Sequence, residues 1–213
     1  MSRKELKQCN RNLIAALAVM ALLIVAATTA GCTTNTTPTP TPIPATQTTV
    51  GNNTTFSSAA GFNITYPKTL KTDNSSDAST PVRVYIYLSP NETADGVLVA
   101  TKSLSAGQTL SDFTNSEVAQ LKNNNTTGNY KNFTILNDTN LTFAGKPART
   151  IIWSGVVPVQ YTQTNATNKT VKEMQTYVVN NNTGYVITYK TISNDYDTYL
   201  AQAQRIINSF VLT

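Results

Sequence analysis

The sequence has 213 residues, 40% of them hydrophobic, which suits one globular domain with additional segments. Its net charge of +5 is unevenly placed, because four of the 16 Lys and Arg residues lie within the first eleven positions. No Lys/Arg-rich run follows that could neutralise nucleic-acid phosphates, so we exclude nucleic-acid binding.

The N-terminus has the three parts of a secretory signal peptide, which we assign to residues 1–31. A basic segment precedes the apolar run Leu13–Ala27, and small residues follow before Cys32. This run is shorter than the ~20 residues that span a bilayer comfortably. An uncleaved anchor helix from Leu13 to Ala30 is the alternative. Because the basic segment stays in the cytoplasm, both assignments place the following residues on the extracytoplasmic face of the cell membrane.

Ala30-Gly31-Cys32 resembles the lipobox of prokaryotic lipoproteins, in which the cysteine thiol receives a lipid and becomes the new N-terminus. Thr29 departs from the usual Leu or Val three residues before the cysteine. The resemblance implies lipidation of Cys32 and a lipid-anchored protein.

Residues 32–55 are rich in Thr, Pro and Asn and carry no charge. A stretch of this composition buries too little apolar surface to fold, and Pro-rich chain is extended. We predict a disordered linker here, followed by a globular domain over residues 56–213.

Alternating apolar and polar residues predict strands through most of this domain. The clearest pattern is Val82–Leu88. The Asn-rich segment 180–184 predicts a hairpin turn, since Asn and Gly tolerate positive φ. The other predicted strands are Phe62–Tyr66, Val97–Leu104, Tyr130–Asn137, Pro147–Tyr161, Val171–Val179 and Gly184–Thr191.

Two segments change to helical periodicity. Thr109–Lys122 places its apolar residues on one face, with Thr109 and Asp112 as a capping pair. A second amphipathic helix follows Asn194 and Asp197 near the C-terminus. The order of elements predicts an α+β domain with a largely antiparallel sheet covered by two helices.

Three spaced segments resemble the PsbP-like domain family. They are Gly61–Pro67 (GFNITYP), Phe143–Ala148 (FAGKPA), and Gly184–Tyr189 (GYVITY) with the helix leading to Ile206–Phe210. The resemblance implies an α/β sandwich built on an antiparallel sheet. The family's name-giving members are extrinsic subunits of photosystem II, but the basic residues and histidines by which they dock or bind metal have no counterpart here.

The residues offer few routes to catalysis. There is no histidine, which removes the commonest general base and metal ligand. We therefore predict no catalytic residue, cofactor or metal, and a protein that is not an enzyme. The carboxylate pairs Asp195/Asp197 and Glu92/Asp95 are interpreted as helix-capping and solvated residues. Asn194, Asp195 and Asp197 supply oxygen ligands for calcium but lack the EF-hand pattern.

Aromatic residues provide the candidate binding surface. Trp153 lies in an apolar strand, which is typical of a core residue. The other candidates are tyrosines on predicted strands. We expect them to face outward and to form a surface that binds carbohydrate or protein. They are Tyr85, Tyr87, Tyr161 and Tyr189.

Fourteen Asn-x-Ser/Thr sequons occur, and a glycan requires a solvated position. Their combination with a Thr/Pro-rich linker and a lipobox cysteine is common in archaeal surface proteins. The candidate sites for N-glycosylation are Asn35, Asn91, Asn132, Asn137, Asn140, Asn165 and Asn168, with Asn63 as a further sequon.

We favour a membrane-tethered, non-catalytic surface lipoprotein that binds a surface protein, glycan or other envelope component. One alternative is a secreted carboxylate-dependent hydrolase of glycans, which requires two acids ~5–10 Å apart across a cleft. Another is a module that binds a small ligand or calcium.

Overall fold

A computed structural model describes residues 46–75, 83–89, 95–126, 130–157 and 168–213. The chain divides into two units, Met1–Thr39 and Pro40–Thr213, and all described residues belong to the second. The predicted signal peptide or anchor helix and Cys32 lie outside the described residues.

The described residues form two antiparallel sheets. The smaller has the strand order β1-β2-β3-β11, and the larger has the order β4-β5-β6-β10-β9-β8-β7. The strands are β1 (Thr46–Val50), β2 (Asn53–Ser58), β3 (Phe62–Pro67), β4 (Thr72–Ser75), β5 (Arg83–Tyr87), β6 (Gly96–Ser103), β7 (Lys131–Phe143), β8 (Lys146–Val157), β9 (Lys169–Asn180), β10 (Thr183–Ile192) and β11 (Val211–Leu212).

Two helices accompany the sheets, α1 (Leu110–Thr126) and α2 (Tyr196–Asn208). A capping box starts α1: the Asp112 N–H donates to the Thr109 hydroxyl at 3.1 Å, and the Thr109 N–H donates to the Asp112 carboxylate at 3.1 Å. The predicted hairpin joins β9 and β10, with Asn181 and Asn182 at positive φ. Both features confirm the sequence patterns.

The main core lies between the two sheets and α2. Aromatic side chains are central to it, with Phe210 stacked between Phe62 and Phe143 at centroid distances of 5.4 and 5.5 Å. Strands β5, β6 and β10 contribute branched side chains from the large sheet, and α2 contributes Ile206 and Ile207. We call this face of the large sheet the inner face.

A second core lies on the opposite face of the large sheet, which we call the outer face. Phe113 of α1 packs edge-on against Tyr177 of β9, with ring centroids 5.9 Å apart. The other buried residues of this cluster are Ile151, Trp153, Val157, Val171 and Val186. Helix α1 therefore covers part of the outer face.

The predicted α+β class, with one sheet covered by two helices, is wrong. The described chain is mostly antiparallel strand in two sheets, and its two helices are short. The small sheet was missed because β1 and the start of β2 come from the Thr/Asn-rich stretch assigned to the linker. Most of their residues are β-branched, but most are also exposed, so no apolar alternation marks them as strands.

Candidate functional site

Tyr85 and Tyr87 lie two residues apart on β5, so their side chains share the outer face of the large sheet. Both are half-buried, and their ring centroids lie 4.7 Å apart at an interplanar angle of 59°. A Cβ at Gly96 would lie 2.4 Å from Cε1 of Tyr85. The missing side chain at Gly96 therefore makes room for the Tyr85 ring.

Charged groups surround this aromatic pair. The Lys71 ammonium lies 5.5 Å from the centroid of the Tyr87 ring, within the range of a cation–π contact. Arg83 is exposed on the same face, and exposed Asp73 of β4 is paired in register with Tyr85. We call Lys71, Asp73, Arg83, Tyr85 and Tyr87 the tyrosine surface.

The hydroxyl of Tyr85 stays protonated at neutral pH and can therefore donate a hydrogen bond. Burial raises its pKa, and the nearby negative charges of Asp95 and Glu173 raise it further. A neutral phenol presents both a donor and an acceptor beside an apolar ring. This chemistry suits polar partners such as sugars or peptide groups.

One row of paired residues connects the tyrosine surface to a buried ion pair. The row runs across the outer face from β5 to β7 and contains one residue from each of these six neighbouring strands. Its members, in register order, are Tyr87, Gly96, Lys190, Glu173, Trp153 and Ile135.

Glu173 and Lys190 form the charged centre of this row. Their carboxylate and ammonium lie 3.3 Å apart, with side-chain exposures of 5% and 31% respectively. Gln175 donates to the other carboxylate oxygen at 2.9 Å, and the Tyr177 hydroxyl donates to the Gln175 amide oxygen. The carboxylate is thus held by two side chains in a buried hydrogen-bonded network.

Burial governs the protonation of this pair. It raises the pKa of Glu173, while the Lys190 charge and the Gln175 hydrogen bond oppose that shift. Burial has the largest single effect on Lys190 and lowers its pKa, but the charges of Glu173 and Tyr130 and the hydrogen bond to Glu173 together outweigh it, so the pKa of the ammonium is raised. Neither residue was predicted from the sequence. The available signal was a charged residue with uncharged neighbours at the same-face positions of its strand, Val171 and Gln175 beside Glu173 and Thr188 beside Lys190.

The remaining tyrosines do not join this surface. Tyr189 is fully buried on the inner face, where its hydroxyl donates to the Tyr196 carbonyl at 2.7 Å. Its assignment to an exposed surface is therefore wrong, because its position on β10 puts it on the inner face, among the core residues. Tyr161 lies outside the described residues. Trp153 is fully buried, as its apolar strand predicted.

The acidic residues singled out for chemistry have structural surroundings. Asp195 precedes α2 as its N-cap residue without a side-chain capping bond, and Asp197 is exposed in the first turn. Asp95 is buried and accepts hydrogen bonds from the Thr191 hydroxyl and the Ile192 N–H. Glu92 lies outside the described residues.

Other carboxylates pair with basic side chains. Glu117 contacts Lys102 at 2.7 Å, and Asp138 contacts Arg149 at 2.6 Å. In the described part of the chain, no group of three or more Cys, Asp or Glu residues is placed to hold a metal ion. Within the same ranges, no helix is both long and apolar enough to cross a membrane.

The sequons divide by accessibility. Asn132, Asn137 and Asn140 are exposed on β7, and Asn168 is exposed just before β9. Asn63 is half-buried in β3, which has neighbours on both sides. Asn35, Asn91 and Asn165 lie outside the described residues.

Comparison with known families assigns the chain to a class. The sequence model described as "PsbP-like protein" matches residues 14–212, nearly the whole chain. The chain therefore belongs to the PsbP-like family, which confirms the resemblance seen in the sequence. No curated protein sequence is significantly similar to it.

Three solved structures are similar to this chain to different degrees. The solution structure of cyanobacterial PsbP (CyanoP) from Synechocystis sp. PCC 6803 matches with a TM-score of 0.59 and 16% identity, covering 78% of this chain and 95% of that one. LpqN, "involved in cell envelope biogenesis of Mycobacterium tuberculosis", gives 0.46 and 14%, covering 80% and 91%. A Pseudomonas aeruginosa protein of unknown function gives 0.44 and 10%, covering 76% and 99%. At these identities the likeness to CyanoP shows the fold alone.

Proposed function

We propose that this protein is a lipoprotein anchored through Cys32 on the extracytoplasmic face of the membrane. Its PsbP-like domain is a non-catalytic binding module for a surface protein or glycan. The observation that carries the binding role is the half-exposed pair Tyr85–Tyr87, seated by Gly96 and flanked by charged groups.

The geometry supports recognition better than catalysis. Tyrosine rings provide large contact area at a low cost in side-chain entropy, and their hydroxyls add directional hydrogen bonds. The buried Glu173 is held by Lys190 and Gln175, which favours a structural role for this carboxylate. A hydrolase of glycans instead requires a carboxylate free to face a second acid.

The anchoring is tested on the intact protein from its native membrane. Mass spectrometry of the N-terminus is expected to show a lipid on Cys32 and no residues before it. Cys32→Ser is expected to prevent the modification and to lower the share of the protein that is recovered with the membrane. Recovery of unlipidated protein with its initiator methionine from the cytosol would contradict the proposal.

The binding role is tested by comparing variants of the full chain in affinity capture from the same membranes. Tyr85→Ala/Tyr87→Ala is expected to lose the partner, and Gly96→Ala is expected to weaken it by displacing the Tyr85 ring. Leu136→Ala is the matched control, since Leu136 is 52% exposed on β7 at the far edge of the same sheet. Equal capture by the double variant and the control would remove the tyrosine surface as the site.

A further inference from the structure

Strand β7 is an exposed edge of the large sheet. It has 13 residues, is exposed along most of its length, and among the described strands pairs only with β8. Leu136 and Leu141 are 52% and 39% exposed on it. A long edge strand with exposed apolar side chains is a template for pairing with another chain. This edge therefore needs protection in a soluble surface domain.

The same strand carries a concentration of sequons. Asn137-Asp138-Thr139 and Asn140-Leu141-Thr142 follow one another, and neither has proline at its middle position. All four Asn and Thr residues of these two sequons are exposed. A glycan on either asparagine would extend into solvent without displacing core residues.

The two asparagines lie on opposite faces of the sheet. Asn137 is paired with Ile152 and Asn140 with Arg149, and the pairing between these positions is regular. Residues three apart in a regular strand point to opposite faces. Glycans on both would cover the two sides of the edge, next to Leu136 and Leu141.

The side chain of Asn137 is held in a defined orientation. Its amide oxygen accepts the Asp138 N–H at 2.9 Å and the hydroxyl of the sequon residue Thr139 at 3.2 Å. The amide oxygen is therefore engaged by the neighbouring residues of the sequon, while the residue as a whole is exposed.

Asn63 provides the contrast within the same domain. Its sequon lies in β3, between β2 and β11, and Asn63 is only half exposed. The sequon residue Thr65 bonds through its hydroxyl to Thr55 at 2.8 Å, and its N–H donates to Ser209 at 2.8 Å. A glycan here would have to fit among paired strands.

We propose that Asn137 and Asn140 carry N-linked glycans that shield the β7 edge, whereas Asn63 stays unmodified. The inference rests on the proposed export of the domain. The transfer joins the asparagine amide nitrogen to the anomeric carbon of a lipid-phosphate-linked oligosaccharide. The bond from that carbon to the phosphate oxygen breaks, the nitrogen loses one proton, and the lipid phosphate leaves with the electron pair.

The test is glycopeptide mass spectrometry on the full chain purified from its native membrane, with the state of Cys32 read from the same sample. Tryptic cleavage after Lys131 and Arg149 gives one peptide that contains both sites and also the sequon at Asn132, so fragment ions must assign each sugar to its asparagine. We expect sugar on Asn137 and Asn140 and none on Asn63. Lipidated protein with a bare β7 peptide would overturn this inference but leave the proposed function standing. Unlipidated cytosolic protein would overturn both, and equal occupancy of Asn63 would overturn the selectivity.

Two pairs of variants separate modification from structure. Thr139→Ala is expected to abolish the glycan on Asn137, and Thr139→Ser is expected to retain it, because only the hydroxyl is required by the sequon. Asn137→Gln/Asn140→Gln is expected to associate into larger species in light scattering, while Asn63→Gln stays at the size of the unmutated protein. An Asn137→Gln/Asn140→Gln protein of unchanged size would overturn the shielding role.

Discussion

The carboxylate of Glu173 lies 3.3 Å from the ammonium of Lys190, on paired positions of the adjacent strands β9 and β10. Glu173 is nearly fully buried, while Lys190 keeps about a third of its side chain in contact with solvent. Removing a charged group from water costs several kcal/mol, which a partner must offset. The pair therefore affects the stability of the domain most clearly when one partner is removed, because the other charge is then left without its partner.

Lys190→Met is expected to destabilise the domain by about 2–3 kcal/mol, because it leaves the buried Glu173 without its partner. This is below the range for fully buried pairs, since Lys190 is partly solvated. Glu173→Gln/Lys190→Met removes both charges, keeps an oxygen for Gln175, and should lie within ~1 kcal/mol of the unmutated protein. Urea unfolding of the unmutated protein, the single variants Lys190→Met and Glu173→Gln, and the double variant measures the coupling. Additive effects of the two single changes would contradict a coupled pair.

The pH dependence of stability should carry the signature of Glu173. Burial raises its folded-state pKa above the ordinary 4.5, so above pH 4.5 the folded state binds more protons than the unfolded state. The free energy of unfolding of the unmutated protein, measured relative to Glu173→Gln, should therefore fall as the pH rises from 4.5 through the folded-state pKa. Chemical denaturation at several pH values tests this. A difference that is constant or rises with pH in this range would contradict it.

Much of the large sheet could be predicted from the sequence, because its strands alternate and one side of each is buried. Val84 and Ile86 illustrate this, since both are fully buried between exposed or half-exposed neighbours. The small sheet could not. In β1 every residue is exposed, so pairing with β2 depends on backbone hydrogen bonds and polar side-chain contacts such as Thr49–Thr54, which leave no apolar pattern in the sequence.

The candidate site shows the same division. The proximity of Tyr85 and Tyr87 follows from their spacing on one strand, but the burial of Tyr189 follows from the parity of β10 relative to the core. Glu173 and Lys190 are seventeen residues apart, and their pairing depends on the β9–β10 register, which the hairpin turn sets. A strand pattern alone assigns no face and no cross-strand partner.

Gly184→Ala tests the packing of α1 on the sheet. A Cβ at Gly184 would lie 2.6 Å from Cζ of Phe113, which is itself 2% exposed. The buried ring must shift within the packed core to make room, so we expect a loss of about 1–3 kcal/mol in the free energy of unfolding. Gly155→Ala is the control. A Cβ at Gly155 would lie 3.3 Å from its nearest atom, Cζ3 of Trp153, so the loss of stability should be smaller.

A compensating change separates this clash from a backbone effect. Phe113→Leu replaces the ring by a smaller side chain, so Gly184→Ala should cost less in the Phe113→Leu background than alone. Thermal or denaturant unfolding of the double variant provides the comparison. An equal cost in both backgrounds would place the effect elsewhere.

Ser209→Ala tests the attachment of the C-terminal segment to the small sheet. The Ser209 hydroxyl accepts the Thr65 N–H at 2.8 Å and lies 2.6 Å from the Ile206 carbonyl, to which it can donate. Without the hydroxyl, the Thr65 N–H in β3 loses its acceptor, so we expect destabilisation by about 1–2 kcal/mol. Because the same bond links residues 144 positions apart, amide hydrogen exchange at Thr65 should accelerate more than the exchange in β9. Ser116→Ala, exposed on α1, is the control and should change neither measurement. Unaltered exchange at Thr65 in Ser209→Ala would show that the hydroxyl does not hold the small sheet to α2.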